Sequence, residues 1–239
     1  IWFDPMDIAF GGMGKLGIEA SGVGPDGWLD MYYEALARHL WDSHEVRPFA
    51  YDWRLSMGAE AARFGTVLDA AMAEAKQRGQ PLRIVAHSMG GLVARLALRG
   101  RWDRFKEIPG SRLLQLGTPN RGSHSIAAVL LGRDDFVHNV ERLDLRHDML
   151  EFLGIVRDFP GVLELLPWPG DSGLADDGVD YFDVGTWSRW NEADGEEARQ
   201  RWQLPREGAL RAARAVVDAL SRAPLDPACT LYVAGRAPT

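Results

Sequence analysis

Cysteine is nearly absent: Cys229 is the one thiol in 239 residues. No internal disulfide can form, and such usage fits a reducing compartment. Lysine is scarce as well. Only Lys15, Lys76 and Lys106 stand among 27 basic residues, so arginine carries the positive charge. The formal net charge of -7 lacks the basic excess that a nucleic-acid partner calls for. Long apolar runs are missing. The run Ile126 to Leu131 is far too short to cross a bilayer, and no signal peptide opens the sequence. His, Asp, Glu and Cys never cluster at metal-ligand spacing, so no metal and no other cofactor is implied. Internal repeats and low-complexity tracts are absent. Glycine is plentiful near the start, at Gly11, Gly12, Gly14, Gly17, Gly22, Gly24 and Gly27. No Gly-Lys-Ser/Thr follows, which excludes a phosphate loop and leaves a surface loop. The sequence begins at Ile1 rather than Met, and it is expected to be part of a larger polypeptide.

What is present is organised around Leu82 to Arg95. A short apolar run after Gly79-Gln80-Pro81 reads as a buried strand. Leu92, Ala94, Leu96, Ala97 and Leu98 then read as a helix stopped by Gly100. Between them stands Ala86-His87-Ser88-Met89-Gly90. This is the Gly-x-Ser-x-Gly pattern of a strand–turn–helix nucleophile elbow, with Ala86 in the first small position. Ser88 would take a strained backbone conformation that lifts its hydroxyl clear of the sheet. A side chain larger than Ala86 or Gly90 would clash with the strand or the helix. Ser88 is therefore the candidate nucleophile. The Met89 N–H, at the start of the helix, is the candidate oxyanion donor.

The rest of the chain fits one large α/β domain. A helix is expected from Trp28, with Leu29, Tyr32, Tyr33, Leu36 and Leu40 on one face. Val46 to Tyr51 reads as a strand. Met57 to Arg78 is the clearest helix: Phe64, Val67, Leu68, Ala71, Met72 and Ala75 form a stripe, and Gly79 supplies the stop. Ser111 to Leu116 reads as a second buried strand. A helix runs from Glu207 through Leu210, Ala213, Val216, Val217 and Leu220, and Cys229 to Ala234 forms the last strand. Strands alternating with helices at this spacing predict a mostly parallel sheet with flanking helices and right-handed crossovers. Between these elements, residues 132–206 carry charge runs, Pro160, Pro167, Pro169 and an acidic loop, and read as a cap or lid insertion.

Three stretches, in order, carry a family resemblance: Tyr51-Asp52-Trp53-Arg54, Ala86 to Gly91, and Leu116-Gly117-Thr118-Pro119-Asn120-Arg121-Gly122-Ser123. Glu164-Leu165-Leu166-Pro167, Tyr181-Phe182-Asp183 and Thr186-Trp187 add a weaker echo. Together they resemble the lecithin:cholesterol acyltransferase-like branch of the α/β-hydrolases. The resemblance implies an α/β-hydrolase fold over residues 1–239. It also implies an esterase, lipase, phospholipase or acyltransferase working through an acyl-serine on a lipid or other ester, with transient contact at a membrane surface. In the family the aspartate and arginine of the first motif lie near the elbow, and Asp52–Arg54 is expected to be a structural ion pair. The family's oxyanion loop would precede Ile1. Its acid would sit in a loop after the strand Cys229–Ala234, with the histidine further on. The domain is thus expected to be incomplete at both ends.

The order in this fold is Ser, then Asp or Glu, then His. His124, His138 and His147 are the only histidines after Ser88, and each is expected at the surface. His87 is on the wrong side of the turn to act as base and is expected to pack. Trp168, Trp187 and Trp190, in the cap, would line an apolar acyl site or else simply fill the core. Two other readings stay open: a non-catalytic hydrolase-like interaction domain of a larger protein, and an amidase or thioesterase on the same fold.

Overall fold

A computed structural model describes residues 17–18, 24–25, 27, 30–134, 149–169, 178–196 and 202–235. Its centre is a three-stranded parallel sheet: β1 (Arg83–His87), β2 (Arg112–Leu116) and β3 (Thr230–Val233), in that order. The fold is α/β, a small parallel sheet with flanking helices, and it is compatible with an α/β-hydrolase.

The register sorts the two faces. Ile84 pairs with Leu113 and Ala86 with Gln115, and these four are buried beneath helices. Val85 stands beside Leu114, which stands beside Leu231, on the opposite face. Val85, Leu231 and Val233 are exposed there among the described residues.

Local sequence explains the helices. Ahead of α1 (Asp30–Trp41), Trp28 and Leu29 lie outside the described residues. The periodicity of α1 does not become burial: Ala37 alone is buried, while Met31, Tyr32 and Leu36 are exposed. For α2 (Met57–Arg78) the boundaries match the reading. The Ser56 side chain accepts the Gly58 N–H at its start, and Gly79 turns left-handed (φ 64°) at its end. Of its stripe, Leu68, Met72 and Ala75 are buried and Val67 is exposed.

After β1 come α3 (Met89–Leu98), α4 (Trp102–Lys106) and, beyond β2, α5 (His124–Leu130). Residues 149–206 contain α6 (Met149–Val156), α7 (Pro160–Leu163) and α8 (Val184–Asp194) among the described residues. A strongly amphipathic α9 (Glu207–Ser221) then buries Leu210, Ala213, Val217 and Leu220. It packs on α3 and α7, and α2 packs on α3. The core thus sits on one side of the sheet, around the helix that follows Ser88.

The strand expected at Val46–Tyr51 is not formed. Pro48 has no N–H to give a ladder, and side chains of α2 hold this segment's backbone instead. Arg63 Nη2 donates to Ala50 O at 2.8 Å. Phe49 packs on Phe64 with ring centroids 4.9 Å apart, and the Arg63 guanidinium covers the Phe49 ring. The segment is anchored to α2 and, among the described residues, joins no sheet.

Among the described residues no helix is long and apolar enough to cross a membrane, and no group of three His, Cys, Asp or Glu could hold a metal.

Candidate active site

β1 ends at His87, and the Ser88 N–H still donates to Leu116 O on β2 at 2.9 Å. The chain then reverses. Ser88 has φ 51° and ψ -131°, and it is the only non-glycine with positive φ among the described residues. Such backbone costs about 1–3 kcal/mol and persists only where the surroundings enforce it. The ladder bond behind Ser88 and the helix ahead of it do the enforcing. Ser88 is half-buried, and among the described residues nothing hydrogen-bonds its hydroxyl. Met89 opens α3, where first-turn N–H groups have no intrahelical acceptor.

The small residues act differently from the expectation. A Cβ on Gly90 would make ordinary contact with the Tyr51 ring at 3.6 Å. A Cβ on Gly91 would overlap Thr118 outright, 1.9 Å from its Oγ1. The tight approach is between α3 and the loop after β2, one residue later than the motif alone suggests.

The three main motifs meet at this turn, where Tyr51 lies against Gly90 and Thr118 against Gly91. Asp52 and Arg54 form the expected buried ion pair: Arg54 Nε donates to Asp52 Oδ1 at 2.9 Å and Nη2 to Oδ2 at 2.5 Å. Arg54 is 2% exposed and Asp52 6%. Burial alone would raise the Asp52 carboxyl; the hydrogen bonds and charge of Arg54 outweigh it and hold the group below its usual range. Arg54 O accepts the Gly161 N–H at 3.2 Å. A Cβ on Gly161 would lie 2.1 Å from Trp53 O and 2.9 Å from Met89 Cε, so α7 sits directly on this loop and beside Met89.

The loop after β2 runs against the chain leaving α7. Ser123 N–H donates to Leu165 O at 2.8 Å, and Trp168 N–H to Arg121 O at 3.0 Å. Gly122 (φ 82°) leaves room for Leu166 O, which a Cβ would meet at 2.2 Å. Behind this pair lies a buried polar network. Gln115, on β2, donates to Gly91 O at 2.9 Å and accepts from Asn120 Nδ2 at 2.8 Å. Arg95, on α3, donates to Ala223 O at 2.5 Å and covers the Trp168 ring at 5.5 Å.

Glu164 is 1% exposed. It accepts the Met57 N–H at 2.6 Å and a hydrogen bond from Ser56, so it caps the start of α2. Burial pushes its carboxyl up to about 7 against those two bonds. The sequence reading gave Gln115 and Arg95 no role, and it quoted Tyr51 and Glu164 as motif residues without one. The visible signals were a glutamine inside an apolar strand and a glutamate ahead of Leu-Leu-Pro.

The three tryptophans are placed unequally. Trp168 is buried under Arg95. Trp187 is fully buried, donates to Tyr181 O at 2.9 Å, and packs on Trp202. Trp190 is half-buried and packs on Trp187 and Tyr181, 5.4 and 5.7 Å between centroids. Of the four histidines weighed from the sequence, two lie among the described residues. His124 is exposed, edge-on to Tyr181 at 5.8 Å. His87 is exposed rather than packed, and its Nδ1 shares a hydrogen bond with the Tyr33 hydroxyl at 2.7 Å. His138 and His147 lie outside the described residues.

Residues 29–185 match the lecithin:cholesterol acyltransferase family. The chain belongs to that family. An uncharacterized protein of Saccharomyces cerevisiae, YJR098C, is 34% identical over 89 residues, 37% of this chain. The match spans 13% of that relative's length. A chain in the crystal structure of the Tle4–Tli4 complex aligns over 76% of this chain and 43% of its own, at 20% identity and a TM-score of 0.44.

Proposed function

We propose that this member of the lecithin:cholesterol acyltransferase family is a serine-dependent acyl hydrolase or acyltransferase with the α/β-hydrolase fold, and that Ser88 is its nucleophile. The observation that carries the reading is the positive φ of Ser88 between β1 and α3. A strained, half-buried serine with an unengaged hydroxyl at a helix start is what acyl transfer needs. Ser88 Oγ attacks the carbonyl carbon of a lipid or other carboxylic ester. The electron pair of the C=O bond moves to oxygen, where the Met89 N–H stabilises it. The serine proton passes to a base outside the described residues. Collapse breaks the ester C–O bond, releases the alcohol and leaves an acyl-serine. Water or a second alcohol then takes the acyl group. Residues 132–206 act as a cap over the acyl chain, with Trp190 as its wall and Trp187 and Trp168 behind it. Substrate is met transiently at a membrane surface.

The test is labelling of the full-length protein by a fluorophosphonate probe. Wild type is expected to label and Ser88→Ala is not. Equal labelling of both overturns the reading, and no labelling of either favours a hydrolase-like interaction domain. Turnover of amides or thioesters in preference to esters would move the substrate class.

A further inference from the structure

Tyr51 is the residue just before the Asp52–Arg54 pair, and its phenol turns towards the start of α3. Its Cε1 and its hydroxyl both lie 3.6 Å from where a Cβ on Gly90 would stand. Gly90 is the second residue of α3, two past Ser88. In a helix the Cα–Cβ direction leans towards the N-terminus. The contact therefore sets the hydroxyl against the first turn, where the N–H groups lack intrahelical acceptors. Tyr51 is half-buried, yet among the described residues its hydroxyl has no hydrogen-bond partner. Buried phenols ordinarily find one. Two other phenols do: Tyr33 shares a hydrogen bond with His87 at 2.7 Å and Tyr232 donates to Thr118 O at 3.1 Å.

An unengaged donor and an unengaged serine at the same helix start call for an acceptor that arrives with the substrate. We propose that Tyr51 donates a hydrogen bond to the ester carbonyl oxygen as it becomes an oxyanion, alongside the Met89 N–H. This inference rests on Ser88 being the nucleophile. Tyr51 keeps its proton throughout: the O–H bond is not broken, and the new hydrogen bond disperses the negative charge. Its protonation is secure, because burial first, then Tyr33 and Glu60, push the phenol well above its ordinary range. Tyr33 cannot substitute, since its hydroxyl is engaged with His87.

The experiment is steady-state hydrolysis of a p-nitrophenyl ester by the full-length protein, comparing wild type with Tyr51→Phe, Tyr33→Phe and Ser88→Ala. Tyr51→Phe keeps the ring against Gly90 and breaks no hydrogen bond within the fold, so its melting temperature is expected to match wild type. Its kcat is expected to fall about 100-fold, as for loss of an oxyanion donor, with KM little changed. Affinity for a trifluoromethyl ketone that forms a hemiketal with Ser88 should fall in parallel, while Tyr33→Phe leaves both nearly unchanged. A Tyr51→Phe enzyme with wild-type kcat, or one altered only in KM, overturns the role of Tyr51 while leaving Ser88 intact. Ester hydrolysis that survives in Ser88→Ala overturns the parent reading instead.

Discussion

The side chain of Thr118 occupies the space that any side chain at position 91 would need: a Cβ on Gly91 would stand 1.9 Å from Thr118 Oγ1, 2.6 Å from Cγ2 and 2.8 Å from Cβ. Thr118 is fully buried and, among the described residues, its Oγ1 has no hydrogen-bond partner. Its place is set by packing against the bare backbone of α3. The Gln115 bond to Gly91 O and the Tyr232 bond to Thr118 O clamp the same contact from both sides.

Gly91→Ala is therefore expected to destabilise the protein. Helix propensity favours alanine over glycine by about 1 kcal/mol. Overpacking against a fixed side chain costs about 1–3 kcal/mol, sometimes more. Here the overlap includes Cβ of Thr118 and cannot be relieved by a rotamer change, so the clash wins. Thr118→Ala removes the two shortest contacts but leaves the one at 2.8 Å. The double variant should recover part of the loss. Urea unfolding of both variants measures it, and a Gly91→Ala protein more stable than wild type would show that α3 and the β2 loop are not in contact.

How much of this was legible in the sequence depends on the range of the interaction. The β1–Ser88–α3 turn and the limits of α2 were readable because their determinants are neighbours: small residues around Ser88, Ser56 before α2 and Gly79 after it. The run Val46–Tyr51 misled because its apolar composition does not say what its backbone groups will bond to. What decides between them is Arg63, thirteen residues past Ala50, which holds the Ala50 carbonyl from α2. The apolar spacing of α1 likewise promised a buried face, but Met31, Tyr32 and Leu36 stay exposed. Within the candidate site, Ser88 was visible as a local motif. Tyr51 and Glu164 were not, since each acquires its place from a partner far along the chain: Gly90 for one, Met57 for the other.

Glu164 makes stability depend on pH in a defined window. Its folded-state carboxyl titrates at about 7, against 4.5 for the ordinary group. The folded state therefore holds the proton more tightly than the unfolded chain. Stability from this group is fully present below pH 4.5, falls as pH rises, and is lost once pH passes 7. At 1.36 kcal/mol per pH unit the full swing is ~3 kcal/mol. Glu164→Gln keeps an acceptor for the Met57 N–H and cannot ionise. The stability of Glu164→Gln relative to wild type should rise by about that amount between pH 4.5 and 7.5. Denaturant unfolding at both pH values reads it, and a difference independent of pH would mean that Glu164 is ionised normally.

The Asp52–Arg54 pair should behave asymmetrically. Removing one partner of a buried ion pair typically costs about 3–5 kcal/mol, because the other charge is left without compensation. Asp52→Ala would leave a guanidinium that is 2% exposed with a carbonyl, Gly17 O at 3.2 Å, but without its carboxylate. Asp52→Ala combined with Arg54→Met removes both charges and keeps much of the volume. The double variant is expected to be clearly more stable than Asp52→Ala alone. Equal stability of the two would show that the pair is hydrated and contributes little.

Ser88 should make the protein less stable than its fold allows. A residue with a Cβ at φ 51° and ψ -131° is strained by about 1–3 kcal/mol. Glycine adopts that conformation without the steric penalty, although it loses about 0.5–1 kcal/mol more through the freedom of the unfolded chain. Ser88→Ala removes the hydroxyl and keeps the strain. Ser88→Gly removes both. Comparing these two variants cancels any effect of the hydroxyl itself, and neither retains a nucleophile, so activity plays no part in the measurement. The strain term exceeds the glycine penalty over most of its range, so Ser88→Gly is expected to unfold at higher urea than Ser88→Ala. A functional serine held at the cost of stability gives this ordering. A serine that sits comfortably in its turn gives the reverse, because only the entropic penalty of glycine would then remain.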